Sequence, residues 1–418
     1  MYKGRGSGVE PMTVEGSDVK QDKSDVLVTA TLTTSHMVQH LFSGASILYP
    51  SIKEALSLSY TQIGLMIGLT NIIGGFLQML YSIASRKVSR RLLLTGSNFF
   101  LSIGCMVMGT AARFEAAITG NMVSGFGQAG IHPISSSIIG SKFEKKGVGS
   151  HLSVFYGLGY VGNIISPILL AGVAAAMGWR TSYYLLSALF LGTALLVYFG
   201  LRGEKAADRT LEKESGRRLI DDVRAAIKVK GAVPILAAQA FISGGTGMGV
   251  MTTWVPVYLR DANGLGLTVF NAGIVTSIAT IGGVLGTIYL GKLGDRRGYL
   301  KIATWSLLGT TVSILLLTLY NGFSIILIPH LFLLSMTTFS MSSILQAHLV
   351  RSSTPELRDI LLGLFFTFGF GVSSLWSTLL GAVIDTYSFN VVWLIMVGAG
   401  LAAQVCLFIA SRAPNVSL

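Results

Sequence analysis

The sequence predicts an all-α integral membrane protein: twelve transmembrane helices in two six-helix bundles, with the N- and C-termini cytoplasmic. Three observations lead there. First, 51% of the 418 residues are hydrophobic and only 12% are charged, with a mean hydropathy of +0.65. A soluble domain carries about 25% charged residues, and so much apolar chain could not be buried in a soluble core without leaving exposed patches. Second, apolar runs long enough to cross about 30 Å of hydrocarbon recur twelve times. Third, Lys and Arg fall on alternate connections.

Taken in order, the polar segment 1–25 carries both signs of charge and lacks the apolar core and cleavage site of a signal peptide, so it reads as a disordered cytoplasmic tail. Runs 26–50, 59–81, 91–110, 115–140, 149–174 and 180–201 make the first bundle, over 26–201. Segment 202–231 is the only long hydrophilic stretch between runs and divides the chain six and six. Within it Leu219, Ile220, Val223, Ala226 and Ile227 recur at helical spacing among Arg217, Arg218, Asp221, Asp222 and Arg224. That pattern predicts an amphipathic helix on the inner leaflet, tethering the bundles. Runs 232–259, 268–290, 301–321, 323–348, 360–384 and 388–411 make the second bundle, over 232–411, followed by the tail 412–418.

With the N-terminus inside, only Lys53, Arg113, Arg180 and Arg260 of the 31 Lys and Arg fall outside. That bias places both termini in the cytoplasm. The +12 net charge therefore reflects topology. It is spread over short loops rather than gathered on one patch, so nucleic acid is not an expected partner. The 50 glycines suit close helix contacts in lipid. Cys105 and Cys406 both lie within apolar runs, far apart, with no disulfide or metal spacing.

Between runs eight and nine stands Gly291-Lys292-Leu293-Gly294-Asp295-Arg296-Arg297-Gly298. A degenerate copy lies 210 residues earlier, with Ser85-Arg86-Lys87 in place of Asp295-Arg296-Arg297 and Val88 in place of Gly298. Copies half a chain apart point to a parallel repeat. The motif and the topology resemble the major facilitator superfamily of transporters over 26–411. Shorter strings resemble its branch of fosmidomycin-resistance proteins: His36-Met37-Val38-Gln39-His40, then Tyr49-Pro50; Gly130-Ile131-His132-Pro133; and Gly157, Gly159, Gly162 and Pro167 with Gly178-Trp179-Arg180. The chain departs from the family at Asn121, where an arginine tied to proton coupling often stands before Gly125 and Gly127, and at Ser166, where a glycine stands beside the proline.

The resemblance implies that runs 1, 4, 7 and 10 line a central cavity. All 19 Asp and Glu map to tails, loops or run ends, and no Lys or Arg sits mid-run. The titratable groups near mid-membrane are therefore histidines, and such groups are functional candidates by default. His36 and His40 share one face, and His132 precedes Pro133, which frees a carbonyl and bends the helix. Imidazole can hydrogen-bond a polar or anionic solute, or exchange a proton as access alternates. Gln39, Gln128, Tyr156, Tyr160, Asn163, Thr252, Trp254 and Gln346 join them as candidate contacts. The glycine pair Gly244-Gly245 before Thr246, Met248, Thr252, Thr253 and Trp254 suggests an outer gate, with close packing as the plain alternative. His330, His151 and His348 lie near run ends, and Trp376 reads as packing.

Gly291, Asp295, Arg296, Gly298 and Pro133 are the expected gating residues. Asp295 is expected near the start of helix 11, where the helix dipole favours an anion, with Arg296 and Arg297 reaching Glu356 or Asp359, contacts that would close the inner gate when the cavity faces outward. No phosphate-binding loop, nucleophile elbow or metal cluster is evident. His36 and His40 alone fall short of the three or four ligands a metal needs, and no cofactor is expected. The implied function is a plasma-membrane secondary transporter, not an enzyme, moving a small polar or weakly anionic solute by alternating access, with proton exchange and export as finer expectations. A monomer in the lipid bilayer is expected. The rivals are a proton-independent facilitator and a non-transporting membrane sensor on the same scaffold.

Overall fold

In lipid every backbone polar group needs an internal partner, so apolar runs of this length must coil. A computed structural model describes residues 23–85, 87–143, 148–202 and 219–412, and these are helical nearly throughout, with no strand among them. Residues 1–22, 86, 144–147, 203–218 and 413–418 lie outside the described residues.

The first run is not one helix. It comprises α1 (Lys23–Leu41), a 3-10 stretch (Phe42–Leu48) and α2 (Tyr49–Leu56), the last begun by Pro50. Then follow α3 (Tyr60–Ala84), α4 (Arg90–Thr110) and α5 (Phe114–Lys142), which passes through Pro133 unbroken. The fifth run divides at Tyr160 into α6 (Val148–Gly159) and α7 (Val161–Met177), and α8 (Trp179–Gly200) follows. The amphipathic segment is α9 (Leu219–Lys228), packed on α10 (Ala232–Phe241) and on α15 (Pro355–Thr386). The seventh run loosens after α10 into two π turns, Ile242–Thr246 and Val250–Trp254, before α11 (Val255–Arg260). The rest is α12 (Val269–Arg297), α13 (Tyr299–Leu317), α14 (Leu327–Arg351), α15 and α16 (Phe389–Arg412).

Helix ends follow local chemistry. Ser89 caps α4 and Thr268 caps α12 through their side chains. Gly298 turns the chain between α12 and α13 at φ +93°, a backbone region that side chains avoid. That requirement explains the last glycine of the loop motif.

Among the described residues, ten helices are long and apolar enough to cross a membrane. Runs 26–50 and 115–140 are not among them. Both are diluted by Ser, Thr, Asn, Gln and His, and they are the two that carry His36, His40 and His132. Polarity there marks a lined interior rather than a lipid face. Elsewhere Leu195, Ile288, Leu375 and Phe408 are more than half exposed, an apolar exterior suited to acyl chains.

The two parts of the chain meet along α3 with α15 and along α7 with α12. At the first seam the backbones nearly touch: a Cβ added to Gly64 would lie 2.1 Å from the Ser377 carbonyl oxygen. At one end of this seam, the first turn of α3 is completed by the other part of the chain. Ser59 and Gln62 form a capping box, and Asp385 at the end of α15 accepts from the Tyr60 and Thr61 amides at 2.8 and 2.7 Å. All four orphan amides of the turn are thereby satisfied. At the same end Tyr60 donates its hydroxyl to Asp261, and Arg260 donates to Ser51 at 2.5 Å.

Candidate functional site

His36 and His40 are one helical turn apart on α1, so their rings project together. α5 brings His132 to them: ring centroids lie 4.5 Å apart for His36 and His40, 4.9 Å for His36 and His132, and 6.1 Å for His40 and His132. The sequence placed His36 and His40 on the first run and His132 on the fourth; the structure joins the three in one cluster. His36 is buried and stacks on Phe155 at 4.2 Å. Its Nδ1 lies 2.9 Å from the Phe155 carbonyl. A carbonyl only accepts, so the ring proton sits on Nδ1 and Nε2 is the acceptor. His40 Nε2 therefore donates to His36 Nε2, at 2.9 Å. His40 and His132 are partly exposed. No hydrogen bond to His132 is made among the described residues.

The break between α6 and α7 lets this part of the chain press against α1. A Cβ on Gly159 would fall 2.0 Å from His36 Nδ1. Tyr156 stacks on His132 with centroids 6.2 Å apart and shares a hydrogen bond with Ser136 at 3.0 Å. The Tyr160 ring lies 5.3 Å from that of His40. Asn163 takes the Ser43 hydroxyl at 2.6 Å. Gln39 donates to the Gln128 carbonyl at 3.1 Å, and its own buried Oε1 is left without a partner. Eight of the expected residues, from His36 to Asn163, thus occupy one neighbourhood.

Ser166 explains why the first run unwinds. Its hydroxyl donates to the Leu41 carbonyl and accepts from the Gly44 amide at 3.1 Å. It satisfies from α7 two groups that an unbroken helix would have paired internally. The sequence treats Ser166 only as a departure from a pattern; two backbone groups on a distant run gave no signal.

Beside the cluster, a narrow cleft between the two parts of the chain is lined by Ser43, Asn163, Met251, Thr252, Thr276 and Thr280, among others. Thr252 is therefore on the cleft. Trp254 is buried, and Gln346 lies on neither the cleft nor the histidine cluster. Thr276 and Thr280 were missed because each hydroxyl returns to its own helix carbonyl, as in any packed threonine. Trp376 packs as expected, donating to the Ala240 carbonyl over Gly244 and Gly245.

The contact described at the loop motif is a local one. Asp295 accepts from the Tyr299 hydroxyl at the start of α13, and no bond joins it to the first turn of α15 among the described residues. Arg296 and Arg297 are exposed, and the side chains of Glu356 and Asp359 lie outside the described residues. A tyrosine one turn away offers a neutral donor at short range, so the carboxylate is satisfied locally. The cross-contacts that sequence reasoning did not find are those of Asp385, Asp261 and Arg260 at the other end.

Comparison with known proteins agrees with this architecture. A family model described as Major Facilitator Superfamily matches residues 32–378 and 263–417. The chain is 24% identical over 411 residues to the fosmidomycin resistance protein of Escherichia coli (strain K12), covering 96% of this chain and 97% of that one. It is 25% identical over 279 residues to a probable sulfoacetate transporter of Cupriavidus necator, covering 63% and 64%. Among solved structures, a mutant of the nucleoside transporter NupG superposes with a TM-score of 0.77 at 16% identity, covering 92% of this chain and 100% of that one. An inward-facing, unoccupied bacterial homologue of the lysosomal transporter Spinster gives 0.73 at 16%, covering 95% and 100%. With its helices, its cleft between two parts of the chain and these matches, the chain belongs to the Major Facilitator Superfamily: it is a multi-pass membrane transporter, not an enzyme.

Proposed function

We propose that this transporter moves a small polar or weakly anionic solute by alternating access, with the histidine–tyrosine cluster as its contact site. One observation carries the reading: three imidazoles, two phenols and two amides gather beside an inter-helix cleft, while the Asp, Glu, Lys and Arg of the described residues stand near helix ends or in connections. Such a site offers N–H and O–H donors to an oxygen-rich solute and no carboxylate to hold a cation. The unpartnered Gln39 Oε1 asks for a donor that a solute hydroxyl or amide would bring.

Twelve spans, with 26–201 and 232–411 rocking as two bundles, complete the reading. The charge bias supports termini on the inside; on that reading the end held by Asp385 and Asp261 faces outward, and their contacts keep it shut. Outward movement is favoured by the similarity to a resistance protein over nearly the whole chain. A proton-independent facilitator is favoured by Asn121. Where relatives often carry arginine, its amide donates to Met108 Sδ on α4 at 3.1 Å and to the Ala117 carbonyl within α5.

The test is a thermal-shift screen of detergent-purified protein with small acids, phosphonates, sugars, amino acids and cationic drugs. Ligands of the folded state raise its melting temperature by mass action. Stabilisation by anions or neutral polar solutes, lost in His132→Ala, supports the assignment. Stabilisation by cationic drugs alone overturns it. Uptake of the hit into proteoliposomes, with and without a pH gradient, then separates a facilitator from a proton-coupled carrier.

A further inference from the structure

We propose that His36, His40 and His132 form a binding site for a divalent transition-metal ion of the zinc class. The ring nitrogens of the three residues that could act as ligands all lie within 4.8 Å of one another. Three imidazoles are a recurrent protein donor set for zinc sites that keep a fourth position open. His36 and His40 supply the i, i+4 pair on one helix face by which helices grip such ions, and His132 supplies the third ligand that the first span lacks.

The outer contacts point the same way. A ligating imidazole nearly always gives its second N–H to a carbonyl, carboxylate or water, which fixes the tautomer and aims the other nitrogen. His36 does this through Nδ1 and the Phe155 carbonyl, leaving its Nε2 lone pair aimed into the cluster. Gly159 makes room for that orientation. His132 enters with no competing hydrogen bond among the described residues. The one group that must change is His40, whose Nε2 proton now rests against His36. Its shift to Nδ1 keeps the ring neutral, releases no proton and frees Nε2 as a ligand.

The α1 pair needs little adjustment, and the widest separation in the set, up to 4.8 Å, must close as the ion is bound. Zn–N bonds of about 2.0–2.1 Å in a tetrahedron set nitrogens about 3.3 Å apart, against 2.9 Å between the two Nε2 atoms here. The partly exposed sides of His40 and His132 provide the route in. A dication held by three neutral rings carries its full charge into a low-dielectric setting. The fourth position therefore favours an oxygen donor, from water or from an anionic solute.

The experiment uses full-length protein purified on a tag without histidine, stripped with chelator and titrated with Co²⁺, then Zn²⁺. The expected result is one Co²⁺ per chain with the visible absorption of a four-coordinate ion, displaced by Zn²⁺. His132→Ala and His36→Ala should each weaken binding by more than about tenfold, since even outer partners of a metal site are worth 10–100-fold. His330→Ala and His348→Ala, away from the cluster, should leave it unchanged. Gel filtration without metal checks that each variant is folded, and His132→Gln provides a polar, shape-conserving second variant. Absence of uptake by folded protein, or uptake indifferent to the three histidines, overturns the site. The proposal shares residues with the transport reading but does not rest on it: metal binding is read on resting protein, so either can fail while the other stands.

Discussion

Gly159 and His36 are in contact through the absence of a side chain: a Cβ on the glycine would sit 2.0 Å from the imidazole Nδ1, inside the hydrogen bond to Phe155. Gly159→Ala should therefore displace the ring, break its tautomer-fixing bond and cost about 1–3 kcal/mol, as overpacking does. Gly157, two residues earlier on α6, has nothing within 4 Å of where its Cβ would be. Gly157→Ala should be neutral or slightly stabilising through helix propensity. Thermal unfolding in detergent compares the two. Equal effects would show that the contact at Gly159 is not constrained.

Asp385→Ala removes the acceptor for the Tyr60 and Thr61 amides. Loss of a helix cap typically costs about 1 kcal/mol, which changes a two-state population about fivefold. A thiol placed by Thr252→Cys in protein lacking Cys105 and Cys406 reports on this. Labelling by an impermeant reagent from outside should quicken about fivefold in the Asp385→Ala background. An unchanged rate would mean that the cap does not hold this end shut.

Ser166→Ala leaves the Leu41 carbonyl and the Gly44 amide without their partner. A buried unsatisfied group costs about 1–3 kcal/mol. A lower melting temperature is expected, and Ser166→Gly should share it, even though glycine is the residue the family pattern carries there. A wild-type melting temperature in both variants would mean that the 3-10 stretch needs no support from α7.

His330 is bonded to Ser313 at 2.7 Å and to Tyr320 at 3.2 Å, away from the cleft. His330→Ala should lower thermal stability while leaving solute affinity unchanged. Isothermal titration with a ligand found in the screen checks this, and a large affinity loss would draw His330 into the transport path.

Much of the fold was legible because a bilayer leaves few options. Long apolar runs must be helices, and the placement of Lys and Arg set the expected orientation. Breaks were less legible. The first run unwinds because Ser166, 122 residues from Gly44, reaches across, and no local signal forecasts a partner on another helix. The histidines stood out as the ionisable groups in apolar surroundings, but their meeting depends on how α1, α5 and α6 pack. The local partner of Asp295 was not foreseen either: Tyr299, four residues away, supplies a hydroxyl. Asp385 went unnoticed because an acid at a helix end looks like ordinary solvation.

The bare backbone contact between α3 and α15, where Gly64 faces the Ser377 carbonyl, bears on how smoothly the protein can move. Attraction between closely fitted surfaces is collectively large but fades within an ångström of separation, and at Gly64 the fit is glycine against backbone. On the proposed alternating-access reading, a seam held this way would act as a detent rather than a spring, at rest when seated and nearly free once lifted. Half-open positions would then be passed through quickly and seldom occupied. Small solutes would meet a passage that is shut or turned over, and rarely one left ajar.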